Sequence, residues 1–206
     1  MNGAPPSPEE QEQLIEKSEV FKIRGHDKRG RKILRVVGKF FPGRSVTADA
    51  AIRYLEKRIY LRLSKRAFCV VYVHTGVQRA DNFPGFSALR VIYESIPPYV
   101  KENLTVVHFV HPDLQSRLFF ATFGRLLFGR ELYEKLRYVS RLDQLWDQVR
   151  RTEIEIPEFV SDHDDDDLEY HPVIDYGLES DHPRAYTAPA SVDSTVLSTF
   201  SMRCIS

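Results

Sequence analysis

Two uninterrupted apolar segments constrain the fold of this 206-residue chain more than any other feature. Ala67–His74 and Leu104–Val110 consist mainly of valine and aromatic residues and carry hardly any charge. A strand with one face in water alternates apolar and polar residues, whereas a continuous apolar run is typical of a strand covered on both faces. The two segments therefore predict neighbouring strands of a parallel sheet that lies between other layers of the protein.

Helix-forming patterns separate these strands and set the fold class. Thr47–Ser64 and Phe86–Ile96 place apolar residues at helical spacing. The alternation of strands and helices predicts an α/β fold with a mostly parallel sheet flanked by helices. The remaining predicted elements are a helix that begins at Ser7, strands at Val20–Arg24, Lys32–Val37 and Leu136–Val139, helices at Leu114–Phe128 and Leu142–Val149, and an extended segment at Ile154–Val160.

Charge divides the chain into three regions. The chain has 29 acidic and 29 basic residues, but ten of the acids and only two of the bases lie after residue 160. We expect residues 1–19 to form a helical extension, residues 20–160 to form the folded domain, and residues 161–206 to form a flexible, disordered acidic tail. The excess of basic residues in the domain is typical of proteins that contact anionic surfaces.

The sequence carries no complete catalytic or cofactor motif. It has neither a phosphate-binding glycine loop nor a full nucleophile elbow, so Ser87 is interpreted as a helix-start residue. Cys69 lies within an apolar strand and is interpreted as a core residue. His74, His108 and His111 lack acidic or cysteine residues at ligand spacing, which argues against a metal site. We therefore expect no enzyme, no metal, no cofactor and no nucleic-acid partner.

The composition also indicates where the protein works. No apolar run approaches the length of about 18 residues that a membrane span needs, and the polar first residues do not match a secretory signal. The chain has only two cysteines, so no disulfide framework is implied. We expect a cytoplasmic protein that is soluble or peripheral on membranes.

The segment Leu114–Phe128 is more apolar than a surface helix requires. Leucine and phenylalanine occur around most of its circumference, and arginines interrupt them. Two interpretations fit this pattern equally well. The segment is a core helix with surface arginines, or it faces a hydrophobic cavity or a membrane.

Six segments of the chain follow one another in a specific order and spacing. They are residues 25–31 leading into Ile33–Val37, Val70–Gly76, Lys101–Pro112, Leu136–Val139, Leu142–Leu145 and Ile156–Val160. Together they resemble the divergent CRAL-TRIO domain, which is also called the BCH domain. The motifs HFVHP at His108–Pro112 and IPEFV at Ile156–Val160 are similar to the domain that follows the macro domain in ganglioside-induced differentiation-associated proteins, here in a short stand-alone form that we expect to be of plant origin.

The resemblance implies a lipid-sized apolar pocket on one face of the sheet, beneath a mobile gate helix. The stretch that matches the gate is Phe119–Lys135, called the gate segment below. The implied function is non-enzymatic lipid binding or phospholipid transfer, with a hydrophobic ligand, phosphoinositides included, exchanged at anionic membranes. The candidate pocket and gate residues are Tyr72, His74, His108, Val110, Phe119, Phe120, Phe123, Leu127, Phe128 and Tyr138.

Basic side chains are the candidates for contact with the membrane. They are Lys22, Arg24, Lys28, Arg29, Arg31, Lys32 and Arg125.

The resemblance leaves one alternative open, which is a protein-interaction scaffold that binds small GTPases or their regulators. In that case side chains such as Phe119 and Tyr138 fill a collapsed pocket. The carrier interpretation instead requires a hollow between the gate segment and the sheet.

Overall fold

The computed structural model describes residues 6–170, with the side chains of residues 6–165, as an α/β domain. Five strands form one sheet: β1 Phe21–His26, β2 Lys32–Val37, β3 Phe68–Val73, β4 Leu104–Val110 and β5 Leu136–Val139. The α-helices are α1 Pro8–Ser18, α2 Ala48–Tyr54, α3 Leu61–Leu63, α4 Arg79–Asn82, α5 Phe86–Ser95, α6 Pro98–Asn103, α7 Leu114–Phe119, α8 Arg125–Lys135, α9 Leu142–Trp146 and α10 Glu158–Tyr170. Two π-helical segments, Leu55–Tyr60 and Phe120–Gly124, join α2 to α3 and α7 to α8, and a 3₁₀ turn covers Gly38–Phe40.

The sheet is mixed but mostly parallel, as the apolar runs predict. Its strand order is β1-β2-β3-β4-β5, with β1 antiparallel to β2 and the other pairs parallel. The register aligns Leu34 with Val70 and Val70 with Val107, so these three side chains lie in one row on the same face. We call this the front face and the opposite one the back face. The α/β fold class is confirmed.

The strand order explains where the helices lie. Each connection from β2 to β5 moves one strand in the same direction, and parallel crossovers are almost always right-handed. Connections of one hand that advance in one direction must all cross the same face. Accordingly, α2, α3, α5 and α6 pack with α1 on the front face, in a core that includes Leu34, Tyr54, Leu63 and Val100.

The back face is covered by the last elements of the described chain. Ile33, Val71 and Val110 point to this side and are completely buried. Their core also contains Leu145 from α9 and Val160 from α10. A sheet buried on both faces accounts for the continuous apolar runs of β3 and β4.

The N-terminal helix begins as its sequence predicts. Ser7 and Glu10 form a capping box, in which the Ser7 hydroxyl accepts from the Glu10 N–H and the Glu10 carboxylate accepts from the Ser7 N–H. Pro8 occupies the first turn, where a missing N–H costs nothing.

The predicted end of the domain at residue 160 falls inside a helix. The sequence predicts an extended segment over residues 154–160 and disorder after it, but α10 spans Glu158–Tyr170. Asp164 on this helix is buried, and its Oδ1 accepts a hydrogen bond from the N–H of Leu142 at 2.9 Å. The high density of aspartates is typical of disorder, and it gives no sign that Val160 and Asp164 are buried and attach the helix to the domain. Residues 171–206 of the expected tail lie outside the described residues.

Candidate functional site: an apolar cavity beside the gate segment

A cavity of about 190 Å³ lies on the front face, between the first halves of β2–β4 and the helices around them. Phe68 and Leu104, the first residues of β3 and β4, contribute to its floor. Its walls come from α5, α6 and the end of the gate segment, where Leu132 contributes a side chain. Because almost every lining atom is carbon, the cavity suits an apolar group and offers little to a polar one.

The charged residues of this cavity come together where the gate segment leads into β5. Lys135 Nζ donates to Glu131 Oε1 at 2.6 Å and to the carbonyl oxygen of Lys101 at 3.0 Å. The Lys101 ammonium lies 4.6 Å from the centre of the Tyr93 ring. All four of these residues line the cavity. They form the rim of an otherwise apolar site.

The other half of the space between the gate segment and the sheet is filled by aromatic rings. The Phe109 ring lies 4.9 Å from that of Tyr72 and 5.6 Å from that of Phe120. The Phe119 ring stacks on Phe86 at 4.3 Å. Among the described residues, these rings occupy the space under the first part of the gate segment, and the cavity lies against the amino-terminal half of the strands. Phe109 and Phe120 lie at the centre of the cluster, where the Tyr138 ring is 6.1 Å from Phe109 and the Phe119 ring is 5.5 Å from Phe120.

The predicted pocket residues on the strands divide between the two faces. Phe109 is paired in register with Tyr72 on one side and with Tyr138 on the other, so all three lie on the front face. The ring of His74 also contacts Phe109. His108 and Val110 align with Val71 and Val73, so they lie on the back face and do not belong to the site. The amino-acid pattern does not decide between the two faces, because valines occur on both faces of β4.

His74 connects the carboxyl end of β3 to α7, which leads into the gate segment. Its Nδ1 lies 3.2 Å from the Tyr72 hydroxyl and its Nε2 lies 3.0 Å from Ser116 Oγ. Burial lowers the pKa of His74, although the Asp113 carboxylate at 3.6 Å opposes this effect. A neutral imidazole with its proton on Nε2 satisfies both hydrogen bonds. The contact orients α7 and closes the aromatic cluster at this end.

The gate segment has a buried side and an exposed side. Phe120 and Phe128 face inward, and Phe128 packs edge-on against Tyr93. Leu127 is half-buried. By contrast Phe123, predicted as a pocket or gate residue, is 53% exposed and does not line the cavity. Its role in the gate stays a prediction.

Four large apolar side chains on the outer side of α7, α8 and the π-helical segment between them are more than half exposed. They follow helical spacing, with one step of five residues from Leu118 to Phe123 across the π-helical segment, which keeps them on one side. We call these residues the apolar stripe: Leu114, Leu118, Phe123 and Leu126.

Gly129 interrupts α8 just before the part that lines the cavity. Its backbone angles, φ 74° and ψ 164°, belong to a region open almost only to glycine. The helix direction therefore changes between Phe128 and Leu132, which separates the aromatic half of the gate segment from the cavity half.

A second polar network lies at the carboxyl end of the sheet. His111 Nδ1 is 2.8 Å from Thr75 Oγ1, and its Nε2 is 3.1 Å from Asp164 Oδ1. The sequence predicted no hydroxyl–histidine pair, since Thr75, His111 and Asp164 are far apart in the chain. All three are buried, and together they attach α10 and α9 to the ends of β3 and β4.

The predicted basic residues do not form one surface. Lys22 and Arg24 pair with Glu155, and Arg31 forms a largely buried pair with Asp27. Lys28 and Arg29 are exposed in the turn between β1 and β2. Lys32 is the first residue of β2. Arg125 is exposed on the gate segment, far from that turn in the strand order.

Neither the histidines nor Cys69 forms a reactive site. His108 lies on the opposite face of the sheet from His74, so these two do not converge. Within residues 6–165, no group of three or more His, Cys, Asp or Glu side chains is arranged to hold a metal ion. Burial raises the pKa of Cys69 to about 12, which keeps the thiol protonated and unreactive.

Sequence reasoning missed several residues that shape the site. Phe109 was missed because of the wrong strand face. The rim residues Lys101 and Lys135 had no motif, although each lies in the last turn of the helix before a strand, and residues before parallel strands share one edge of the sheet.

None of the described helices is long and apolar enough to cross a membrane.

Comparison with known proteins identifies the family of this domain. The chain is 32% identical over 143 residues to ganglioside-induced differentiation-associated protein 2 of Xenopus tropicalis, 29% identical to the human protein, and 26% identical to the GDAP2 homolog of Drosophila melanogaster. Each match covers 68% of this chain, but only 25–28% of the relative. Among solved structures, Sfh5 has a TM-score of 0.46 and 17% identity, over 63% of this chain and 52% of Sfh5. The sequence model of the divergent CRAL/TRIO domain matches residues 30–166, and the chain belongs to that family.

Proposed function

We propose that the protein binds a lipid between the sheet and the gate segment, without catalysing a reaction. The observation that carries this proposal is the cavity of about 190 Å³ on the front face, whose lining is almost wholly apolar. Membership of the CRAL/TRIO family supports it. An apolar cavity of similar size is known to stay dry and bind benzene, so a site of this kind favours hydrocarbon over water.

The size of the cavity requires the gate segment to move when a whole lipid binds. Pockets for drug-sized ligands typically enclose about 300–1,000 Å³, and this cavity is smaller. Each buried CH₂ group contributes about 0.8 kcal/mol, so an acyl chain supplies several kcal/mol toward displacing side chains such as Leu132. The backbone of Gly129 is the natural hinge for that movement, because its conformation lies outside the helical region.

Purified protein provides the direct test. Organic extraction followed by mass spectrometry should recover lipid in a stoichiometric amount, or the protein should take up lipid from vesicles. Replacement of Leu132, on the cavity wall, by Trp should reduce uptake, whereas Leu126→Trp on the outer side should not. A protein that carries no lipid and takes up none from vesicles contradicts the proposal.

We further propose that the protein exchanges lipid at anionic membranes. The apolar stripe beside Arg125 suits insertion among lipid headgroups. The edge of the sheet where β2–β5 begin, called the amino edge, lies on the same side as the cavity. It carries several basic residues in the turns and helix ends before the strands: Lys28, Arg29, Lys65, Arg66, Lys101 and Lys135.

A protein-interaction scaffold is the second candidate, and the aromatic cluster favours it. Rings from Tyr72, Phe109 and Phe120 fill half of the space that a lipid carrier needs, and the apolar stripe suits a partner protein as well. A pull-down of small GTPases and their regulators distinguishes the two. Retention that depends on Leu118 and Leu126, in a protein that binds no lipid, supports the scaffold.

A further inference from the structure

We infer that the cavity takes an amphiphile with a single acyl chain and an anionic headgroup, which the ammonium groups of Lys101 and Lys135 bind at the rim. This inference rests on the proposed lipid-binding function and specifies its ligand. The shared chemistry is a carboxylate or phosphate attached to one hydrocarbon chain, as in a fatty acid or a lysophospholipid.

The position of Lys101 is the first argument. Its side chain lines an apolar cavity, yet among the described residues no carboxylate lies within ion-pairing distance of its Nζ. The ammonium instead lies over the Tyr93 ring at 4.6 Å. An ammonium attracted only by a ring face keeps its hydrogen-bond donors available, because that contact is electrostatic and uses no acceptor lone pair.

Lys135 adds a second positive charge on the same rim. Its side chain is only 20% exposed, and its Nζ donates to Glu131 Oε1 and to the Lys101 carbonyl oxygen. An ammonium group has three donors, so one remains for a ligand. Glu131 neutralises one of the two lysines, which leaves the rim with a net charge of about +1, suited to a single anionic group.

The volume of the cavity argues for one chain. A space of about 190 Å³ is close to that of cavities that hold one benzene-sized group. It encloses a segment of one hydrocarbon chain, and the aromatic cluster around Phe109 and Phe120 blocks its extension toward the carboxyl ends of the strands. A second acyl chain has no corresponding space in this conformation.

Binding of soluble single-chain ligands tests the inference in the full-length protein. Palmitate, lysophosphatidate and the neutral hexadecanol are titrated below their aggregation limits, with calorimetry or displacement of a fluorescent fatty acid as the readout. Palmitate and lysophosphatidate should bind at least about tenfold more tightly than hexadecanol, because a charge-assisted hydrogen bond contributes about 1.5–3 kcal/mol. Inorganic phosphate alone should not displace the probe.

Variants separate the role of Lys101 from that of charge in general. Lys101→Gln should weaken palmitate binding about tenfold and leave hexadecanol unchanged, and Lys101→Arg should restore much of the affinity. Lys17→Gln makes the same charge change at an exposed position of α1, outside the cavity lining, and should alter binding of neither ligand.

The outcomes distinguish this inference from the proposed function. Equal binding of palmitate and hexadecanol, unaffected by Lys101→Gln, overturns the anionic headgroup and keeps the lipid site. Tight binding of two-chain phospholipid alone overturns the single chain. If none of the amphiphiles binds, the proposed lipid-binding function itself is wrong.

Discussion

His108 is a buried titratable residue in the core of the back face. It is 4% exposed, and its Nε2 has no hydrogen-bond partner within residues 6–165. Burial, followed by the nearby Arg31, lowers its pKa to about 4. The side chain is therefore neutral at physiological pH, and it contributes shape rather than charge.

The low pKa of His108 makes stability depend on pH. The unfolded chain binds a proton near pH 6.5 and the folded protein only near pH 4, so stability is present above pH 6.5 and is lost as the pH falls between these values. From pH 7 to pH 5 the loss amounts to about 2 kcal/mol. Chemical denaturation of the wild type and of His108→Leu at both pH values measures it. The variant should lose less stability on acidification, and equal losses would contradict the assignment.

Asp164 stabilises the domain from the region that the sequence suggested to be disordered. Its carboxylate accepts from the N–H of Leu142, at the first turn of α9, and contacts His111. Asp164→Ala should lower the free energy of unfolding by about 1–3 kcal/mol, because it leaves a buried N–H without a partner. Thermal unfolding measures this, and Asp165→Ala, at the exposed neighbouring position, is the control. Equal effects of the two variants would show that Asp164 is not a specific contact.

Among the secondary-structure elements, the helical region that leads into the gate segment shows what a sequence pattern can and cannot predict. The apolar composition of residues 114–128 predicted a helix with more apolar surface than one core contact can bury. In the structure Phe120 and Phe128 pack inward, as a core helix requires, while the apolar stripe is exposed. Contact of this stripe with a membrane stays a prediction. The π-helical segment could not be predicted, because it depends on how the helix packs against β4 and α5, and no residue type specifies it.

Substitutions in the apolar stripe should weaken membrane binding without lowering the stability of the fold. The double substitution Leu118→Ser and Leu126→Ser removes two exposed leucines, each worth about 1.5–3 kcal/mol when buried in an apolar environment. Sedimentation with phosphatidylserine-containing vesicles should show at least about tenfold weaker binding, with an unchanged melting temperature. Leu61→Ser, at another exposed leucine, is the matched control. Binding that survives the double substitution would exclude the stripe as the membrane contact.

At the scale of the whole molecule, the strands and their parallel arrangement were predictable. Which side chains of each strand point to the front face of the sheet was not. The valine-rich runs of β3 and β4 fixed two buried strands, and helical spacing between them fixed the crossovers. Strand alternation leaves two possible orientations for each strand, however, and β4 carries valines on both faces, so its pattern does not decide between them. For that reason Tyr72 was assigned to the site correctly, while His108 was chosen in place of Phe109.

Long-range attraction to anionic membranes should depend on the amino edge. Neutralising Lys28 and Arg29 together by Gln should weaken binding to anionic vesicles about 30-fold, since each basic residue near such a surface contributes about 1 kcal/mol. The difference should shrink as salt shortens the screening length from about 10 Å at 0.1 M. The control replaces Arg44 and Arg79, which follow the carboxyl ends of β2 and β3, by Gln. An equal effect of the control pair would mean that only net charge matters.

The one-directional strand order has a consequence for synthesis of the chain. Since each strand joins the edge left by its predecessor, β1 to β5 can assemble in the order in which the ribosome delivers them. The back of that growing sheet stays bare, however, until α9 and α10 have been translated, because the earlier crossovers all pass over the front. Ile33, Val71 and Val110 remain exposed to solvent until then. The nascent polypeptide therefore presents an apolar surface that chaperones can recognise during the last stage of its synthesis.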